Sequence, residues 1–323
     1  MCPECFATMA MLVTGVVRTG GVAAAAGSQI AFISTISATE WRNTMSNTST
    51  ATGSKASAQH RIVSQEEWLR ARQELLAKEK KLMREHDALA AERRALPWVK
   101  VEKSYIFETP NGRKTLGDLF EGRSQLLVYH LMFAPDWEAA CLGCSYVSDH
   151  LDGAVQHLAN RDVTLVAVSR APLAKLTPFK QRMGWRFKWY SSFGTDFNRD
   201  FHVSFTREEM AAGKMFYNYK LQNYPMEEGH GLSAFYQDST GNIFHSYSTY
   251  GRGVEPFINT YNLLDLAPKG RDEQDQKPNP MAWVRHHDKY ESDYFAGEAA
   301  RRPLNTAKSA TSPGSAEDCC HQS

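Results

Sequence analysis

Charge bias is what the sequence most clearly lacks: 37 Lys and Arg stand against 36 Asp and Glu, a formal net charge of +1. That balance excludes the broad positive field by which proteins hold nucleic acid or anionic surfaces. Cysteine is scarce too, six in 323 residues, set in pairs as Cys2 and Cys5, Cys141 and Cys144, and Cys319 and Cys320. Such sparse pairs do not make the framework of a small secreted disulfide scaffold, and a reducing, cytoplasmic setting is expected. Long apolar runs are also missing. Val22 to Ile36 comes nearest, but it has no basic lead-in, and Arg18 and the surrounding glycines weigh against a membrane span. Residues 1–60 are rich in Ala, Gly, Ser and Thr, with Glu4 and Glu40 as their only acids. They read as a disordered leader or a misassigned start, with Met45 opening a Ser/Thr-rich lead-in. No internal repeat is present.

Residues 61–98 carry a clear helix signal. Ser64 followed by Glu67 forms a capping-box pattern, Trp68, Leu75, Leu82, Leu89 and Leu96 recur every seven residues, and Pro97 ends the run. Leu69, Leu76 and Met83 widen the stripe. The pattern predicts an amphipathic helix docked on its own core, with a homodimer paired through helix 64–96 as the alternative.

From Tyr105 the pattern changes. A hairpin is signalled by Asn111-Gly112, and Leu126 to Phe133 reads as a strand buried on both faces. A helix from Ser145 to Arg161, a second buried strand from Val163 to Val168, a helix from Pro172 closed by Gly184, and an aromatic strand from Trp185 to Ser192 follow. A hairpin made by Leu232–Gln237 and Ile243–Tyr247 and a helix over Val254–Leu264 complete an α/β domain over 99–266. The two long strands flanking one helix should be parallel. Residues 267–323 read as a linker, a short helix near Trp283 to Tyr290, and a disordered tail.

Chemistry concentrates at the end of the first long strand, in Asp136-Trp-Glu-Ala-Ala-Cys141-Leu-Gly-Cys144. Residues three apart share a helix face, so the two thiols can close a disulfide in one state and stand free in the other. At a helix N-terminus the exposed N–H groups favour a Cys141 thiolate, and Cys144 would resolve the mixed disulfide. Asp136 and Glu138 oppose that activation by their charge. His130 and Trp137 are supporting candidates, each with a plain core role as alternative. Arg170, Asp196 and Asp200 follow strand ends, where α/β folds gather ligands. Two other readings of the cysteines are inert structural residues and half of a zinc site completed by Cys2 and Cys5, or by Cys319, Cys320 and His321. His286 and His287 are adjacent and make a weak chelate.

The element order resembles the thioredoxin-like fold, and Val166-Ala-Val-Ser169, Leu176 to Gly184 and Ser191-Ser192 resemble its peroxiredoxin branch. His60-Arg-Ile-Val-Ser64, Leu127-Val-Tyr-His130, Asp136-Trp137, Asp162 to Pro172, Met183-Gly-Trp185 and Tyr247-Ser-Thr-Tyr250 resemble the family called domain of unknown function 899, over about His60 to Tyr290. That resemblance implies a thioredoxin-like three-layer α/β sandwich with an N-terminal helical extension, and no established reaction. The chain departs from the family at Ala140, where a Gly is usual, and at Leu142-Gly143, where Pro-Ser is common. Thioredoxins also set a cis-proline beside the disulfide, and the matching point here is near Gly231, preceded by His230.

The expectation is a thiol-disulfide oxidoreductase with Cys141 and Cys144 as its catalytic pair, acting on a protein or small-molecule thiol or disulfide. It involves no organic cofactor, metal, nucleic acid or membrane. A peroxiredoxin-like thiol peroxidase and a redox-silent binding or scaffold protein are the alternatives.

Overall fold

The structure is a computed structural model and describes residues 60–277 and 279–291. The apolar run 22–36 and the terminal cysteine pairs lie outside them. The chain divides into two units, Met1–Arg70 and Ala71–Ser323. In the first, the Ser64 hydroxyl accepts from the Glu67 N–H at 3.2 Å, one half of the expected capping box, and Arg61 pairs with Glu67.

Helix α1 (Gln65–Ala95) forms where the seven-residue spacing predicts it, but none of its residues is buried. The expected docking on the protein's own core is therefore corrected: Leu82 is 65% and Met83 60% exposed. The stripe places two adjacent residues on every second turn, and the turns between carry Arg72 and Glu79, which pair with each other at 2.8 Å. That is too narrow an apolar face to seat a helix on a globular core. Among the described residues no helix is long and apolar enough to cross a membrane.

The second unit is built on an eight-stranded sheet. Its strands are β1 (Val99–Lys100), β2 (Ile106–Thr109), β3 (Gly112–Thr115), β4 (Gln125–His130), β5 (Val163–Ser169), β6 (Lys188–Ser191), β9 (Gly231–Gln237) and β10 (Ile243–Tyr250), in the order β1-β10-β9-β4-β5-β6-β2-β3. A small separate hairpin pairs β7 (Met215–Tyr217) with β8 (Lys220–Gln222). β4, β5 and β6 run parallel, as the strand-helix-strand pattern requires, and β9 lies antiparallel on the other side of β4, followed by antiparallel β10. A βαβ unit joined edge to edge with a ββα unit is the thioredoxin-like arrangement, and here that arrangement is extended at both edges.

Alternation along β4 sorts its side chains into two cores. Leu127, Tyr129 and the following Leu131 face one side, with α2 (Leu142–Leu151), α4 (Leu173–Arg182) and α7 (Asn259–Leu264). Leu126 and Val128 face the other, with the turn over Gly117–Phe120 and α5 (Phe197–Asp200). Three layers result. The helix expected to run from Ser145 to Arg161 breaks into α2, a turn at Asp152–Ala154, and α3 (Val155–Ala159). The cause is Asp152. Its carboxylate accepts from the N–H groups of Arg186 at 2.6 Å and Phe187 at 2.9 Å and from the Arg186 guanidinium, tying the helix end to the lead-in of β6. The helix expected near residues 283–290 is a single turn at His287–Lys289.

Candidate functional site

Beyond His130 the chain stays extended without pairing fully into the sheet. The Leu131 N–H donates to Val168 O at 3.0 Å, the Ala171 N–H to Phe133 O at 2.8 Å, and the Cys141 N–H to Met132 O at 3.0 Å. The last bond folds the 134–140 loop back, so that Cys141 arrives beside the strand it left. Cys141 is the N-cap of α2, with φ −52° and ψ 135°, and its carbonyl accepts from both the N–H and the hydroxyl of Ser145 at 2.9 Å. Cys144 follows one turn later.

Neither cysteine is in a disulfide, and each residue is only 2% exposed. They interact with each other. Burial first, and then the hydrogen bond and charge of Cys141, push the Cys144 thiol well above its usual range, while the Met132 backbone and the Tyr129 hydroxyl pull it down. Tyr129 is fully buried, finds no oxygen or nitrogen partner for its hydroxyl, and meets Cys144 instead. Two imidazoles stand near enough to Cys141 to feel its charge. His230, lowered by burial, bonds Gly251 O at 3.2 Å. His286, also lowered by burial, bonds Ala140 O at 3.1 Å.

Backbone shape around His230 explains a departure noted in the sequence. A Cβ at Gly231 would lie 2.5 Å from the Tyr250 ring and 2.8 Å from Thr249 O, so no side chain fits at the point where thioredoxins carry their proline. A Cβ at Gly229 would meet the Tyr217 ring at 2.8 Å. Tyr217 fills the space and bridges the segment, donating to His230 O at 2.8 Å and accepting from the Gly251 N–H at 3.0 Å.

The predicted supporting residues divide. Trp137 is partly buried against the same cluster as the thiols, and its carbonyl accepts from Lys175 Nζ at 2.9 Å. Asp136 and Glu138 are exposed to solvent. His130 points through the opposite face. It stacks on Phe201 at 5.8 Å, bonds Ser233 Oγ at 2.8 Å, and is held by burial to a pKa of about 3. Arg170 is engaged by the buried Glu228 and by Glu227 at 3.5 Å. Burial lifts Glu228 to about 7 against the pull of Arg170. Asp196 and Asp200 hold Lys103 at 2.9 and 2.7 Å, and Asp200 also accepts from Tyr105. Among the described residues no group of three His, Cys, Asp or Glu is arranged to hold a metal. The terminal cysteines and His321 weighed for zinc lie outside those residues.

Sequence reasoning missed Tyr129, the place of His230 beside Cys141, and the use of His286. Strand parity already separates Tyr129 from His130. It cannot say which parity faces the cysteine helix, because β4 is apolar on both sides.

The profile of a bacterial protein of unknown function (DUF899) matches residues 57–290. No curated protein matches the sequence. Similar solved structures include peroxidoxin BcpB from Mycobacterium tuberculosis, at 14% identity and TM-score 0.33, covering 51% of this chain and 95% of that one. PrxQ from Xylella fastidiosa stands at 15% identity and TM-score 0.31, covering 49% and 88%. A hypothetical protein from Sinorhizobium meliloti 1021 stands at 11% identity and TM-score 0.29, covering 46% and 68%.

Proposed function

We propose a dithiol redox function for this chain, which belongs to the bacterial family of unknown function DUF899. In this reading it is a thiol-disulfide oxidoreductase: Cys141 attacks and Cys144 resolves. The observation that carries the proposal is the pairing itself, two reduced cysteines in contact across the first turn of α2, the first at its N-cap. Cys141 as thiolate attacks one sulfur of a disulfide; that bond breaks, and the departing thiolate takes up a proton. Cys144, having lost its proton, then attacks the Cys141 sulfur, and the second substrate thiol leaves. Two electrons pass from the protein to the substrate, and an internal disulfide remains for a thiol reductant to reopen.

Burial favours a second reading, because a cysteine only 2% exposed suits a small oxidant. With a hydroperoxide, Cys141 takes the terminal oxygen to become a sulfenic acid as the alcohol leaves. Cys144 then displaces water and closes the same disulfide.

Equilibration of the full chain in glutathione buffers tests the common core. The expected result is a Cys141–Cys144 disulfide that forms at oxidising poise and is absent in Cys141→Ser. Free thiols at both positions across the whole series would overturn it. Peroxide consumption that depends on Cys141 selects the second reading.

A further inference from the structure

The segment 279–290 packs against the cluster that holds the dithiol, and its construction differs from the rest of the domain. Its described main-chain bonds stay within the segment: Ala282 N–H to Asn279 O, Val284 N–H to Met281 O, and Lys289 N–H to His286 O. No backbone pairing joins it to the sheet, among the bonds of the described residues. The described contacts that hold residues 281–290 down are made by side chains. Val284 is 2% exposed in the same cluster as Cys141 and Cys144, with Met281 and Trp283 packed against that cluster.

Three groups of contacts pin the segment, one of them His287 on Asp149 at 2.8 Å. Trp283 meets the Tyr146 ring edge-on at 5.7 Å and donates to Glu273 at 2.7 Å, which also accepts from Tyr261. At the other end Arg182 grips Asp288 with two bonds of 2.8 Å and touches His286 Nδ1 at 3.1 Å, with its guanidinium over Phe179. His286 completes the closure by reaching Ala140 O, one residue before the N-cap thiol. Held by side chains and lacking a ladder, such a segment opens at lower free energy than the sheet beneath it.

We infer that residues 279–290 are a releasable cover that sets the size of what reaches the dithiol: small oxidants pass while it is closed, and a macromolecular disulfide reaches Cys141 only after it lifts. This names the substrate class and the gate of the site proposed above and rests on that proposal. The Arg182–Asp288 pair is the catch.

The test uses one chemistry at two sizes on the full chain, methyl methanethiosulfonate and a polyethylene-glycol methanethiosulfonate. Modification of the peptide holding Cys141 and Cys144 is followed by mass spectrometry and normalised to free cysteine. In the wild type the large reagent should lag the small one at least ~100-fold, since it needs the open form. Arg182→Ala should speed the large reagent ~10-fold, and the milder Asp288→Asn ~3-fold, with the small reagent little changed. Asp288→Asn carries the test should Arg182→Ala fail to fold. Equal normalised rates in the wild type, or a size ratio unmoved by either variant, would overturn the inference. Labelling reads access and not electron transfer, so the gate can fail while the disulfide forms in glutathione, and the reverse.

Discussion

Tyr129 and His130 are neighbours on one strand, yet they look into two different kinds of interior. On the Tyr129 side lie soft sulfur, two imidazoles near Cys141, and a cover without backbone pairing. On the His130 side the imidazole is wrapped by Phe197 and Phe201 and joined to His245 through Ser233 and Ser248, at 2.8, 2.7 and 2.7 Å. Both sides exclude water. The difference is that one is closed by interlocked rings and a buried hydrogen-bond chain, and the other in part by a segment joined through separate side-chain contacts. Burial by itself is therefore a poor guide to reactivity, and the manner of closure is what separates a core from a site.

The largest effect that would break this comparison lies on the packed side. Phe197 is fully buried and stacks edge-on against Tyr105 at 5.1 Å and Phe107 at 4.9 Å. Phe197→Ala should cost about 3–5 kcal/mol in urea unfolding while disulfide formation at Cys141 and Cys144 survives in the folded fraction. Comparable loss of thiol chemistry would mean that the two faces are not separate.

A smaller effect comes from His130, held neutral by burial with a pKa of about 3. The unfolded chain binds a proton there below about pH 6.5 and the native state does not, so this contribution to stability is complete above that pH. It drains at up to about 1.4 kcal/mol per pH unit as the pH falls toward 3. In His130→Gln, unfolding free energy should fall less steeply between pH 6.5 and 4 than in the wild type; parallel slopes would show that the imidazole charges in place.

The smallest effect sharpens the thiol side. The Tyr129 hydroxyl has no oxygen or nitrogen partner to lose, so Tyr129→Phe should leave stability within about 1 kcal/mol. Its contact with Cys144 favours the thiolate, so disulfide closure by an oxidant in stopped flow should slow about 3-fold. An unchanged rate would remove Tyr129 from the site.

Much of this fold was legible because its strands are short apolar runs bounded by turn residues, and Asn111-Gly112, Gly184 and the 238–241 turn sit where the expected elements end. The cysteine pair was legible for the same reason, as a spacing that follows a strand. What could not be read was long-range. Nothing local in His286 announces a bond to Ala140, and Asp152 reads as one more helical acid until Arg186 is beside it. The helix over 65–95 was correctly placed and wrongly docked, since a seven-residue spacing fixes an apolar stripe but not what the stripe meets. Asp136 and Glu138 are exposed, so solvent and salt screen the field that their closeness in sequence to the thiols suggests.

The clamp at the far end of α2 bears on how a disulfide could form. Asp152 is fastened to the start of β6, and Asp149, one turn earlier, accepts from Trp185 Nε1 at 2.7 Å and His287 Nδ1 at 2.8 Å. The far end of the helix is thus fastened by two carboxylates, while its first turn, which contains Gly143, is tied through the Cys141 N–H to Met132 O. His287 belongs to the segment 279–290, which makes Asp149 a rivet shared between helix and cover. The segment therefore touches α2 at both ends, His286 at Ala140 O just before the N-cap and His287 at Asp149 near the C-terminus.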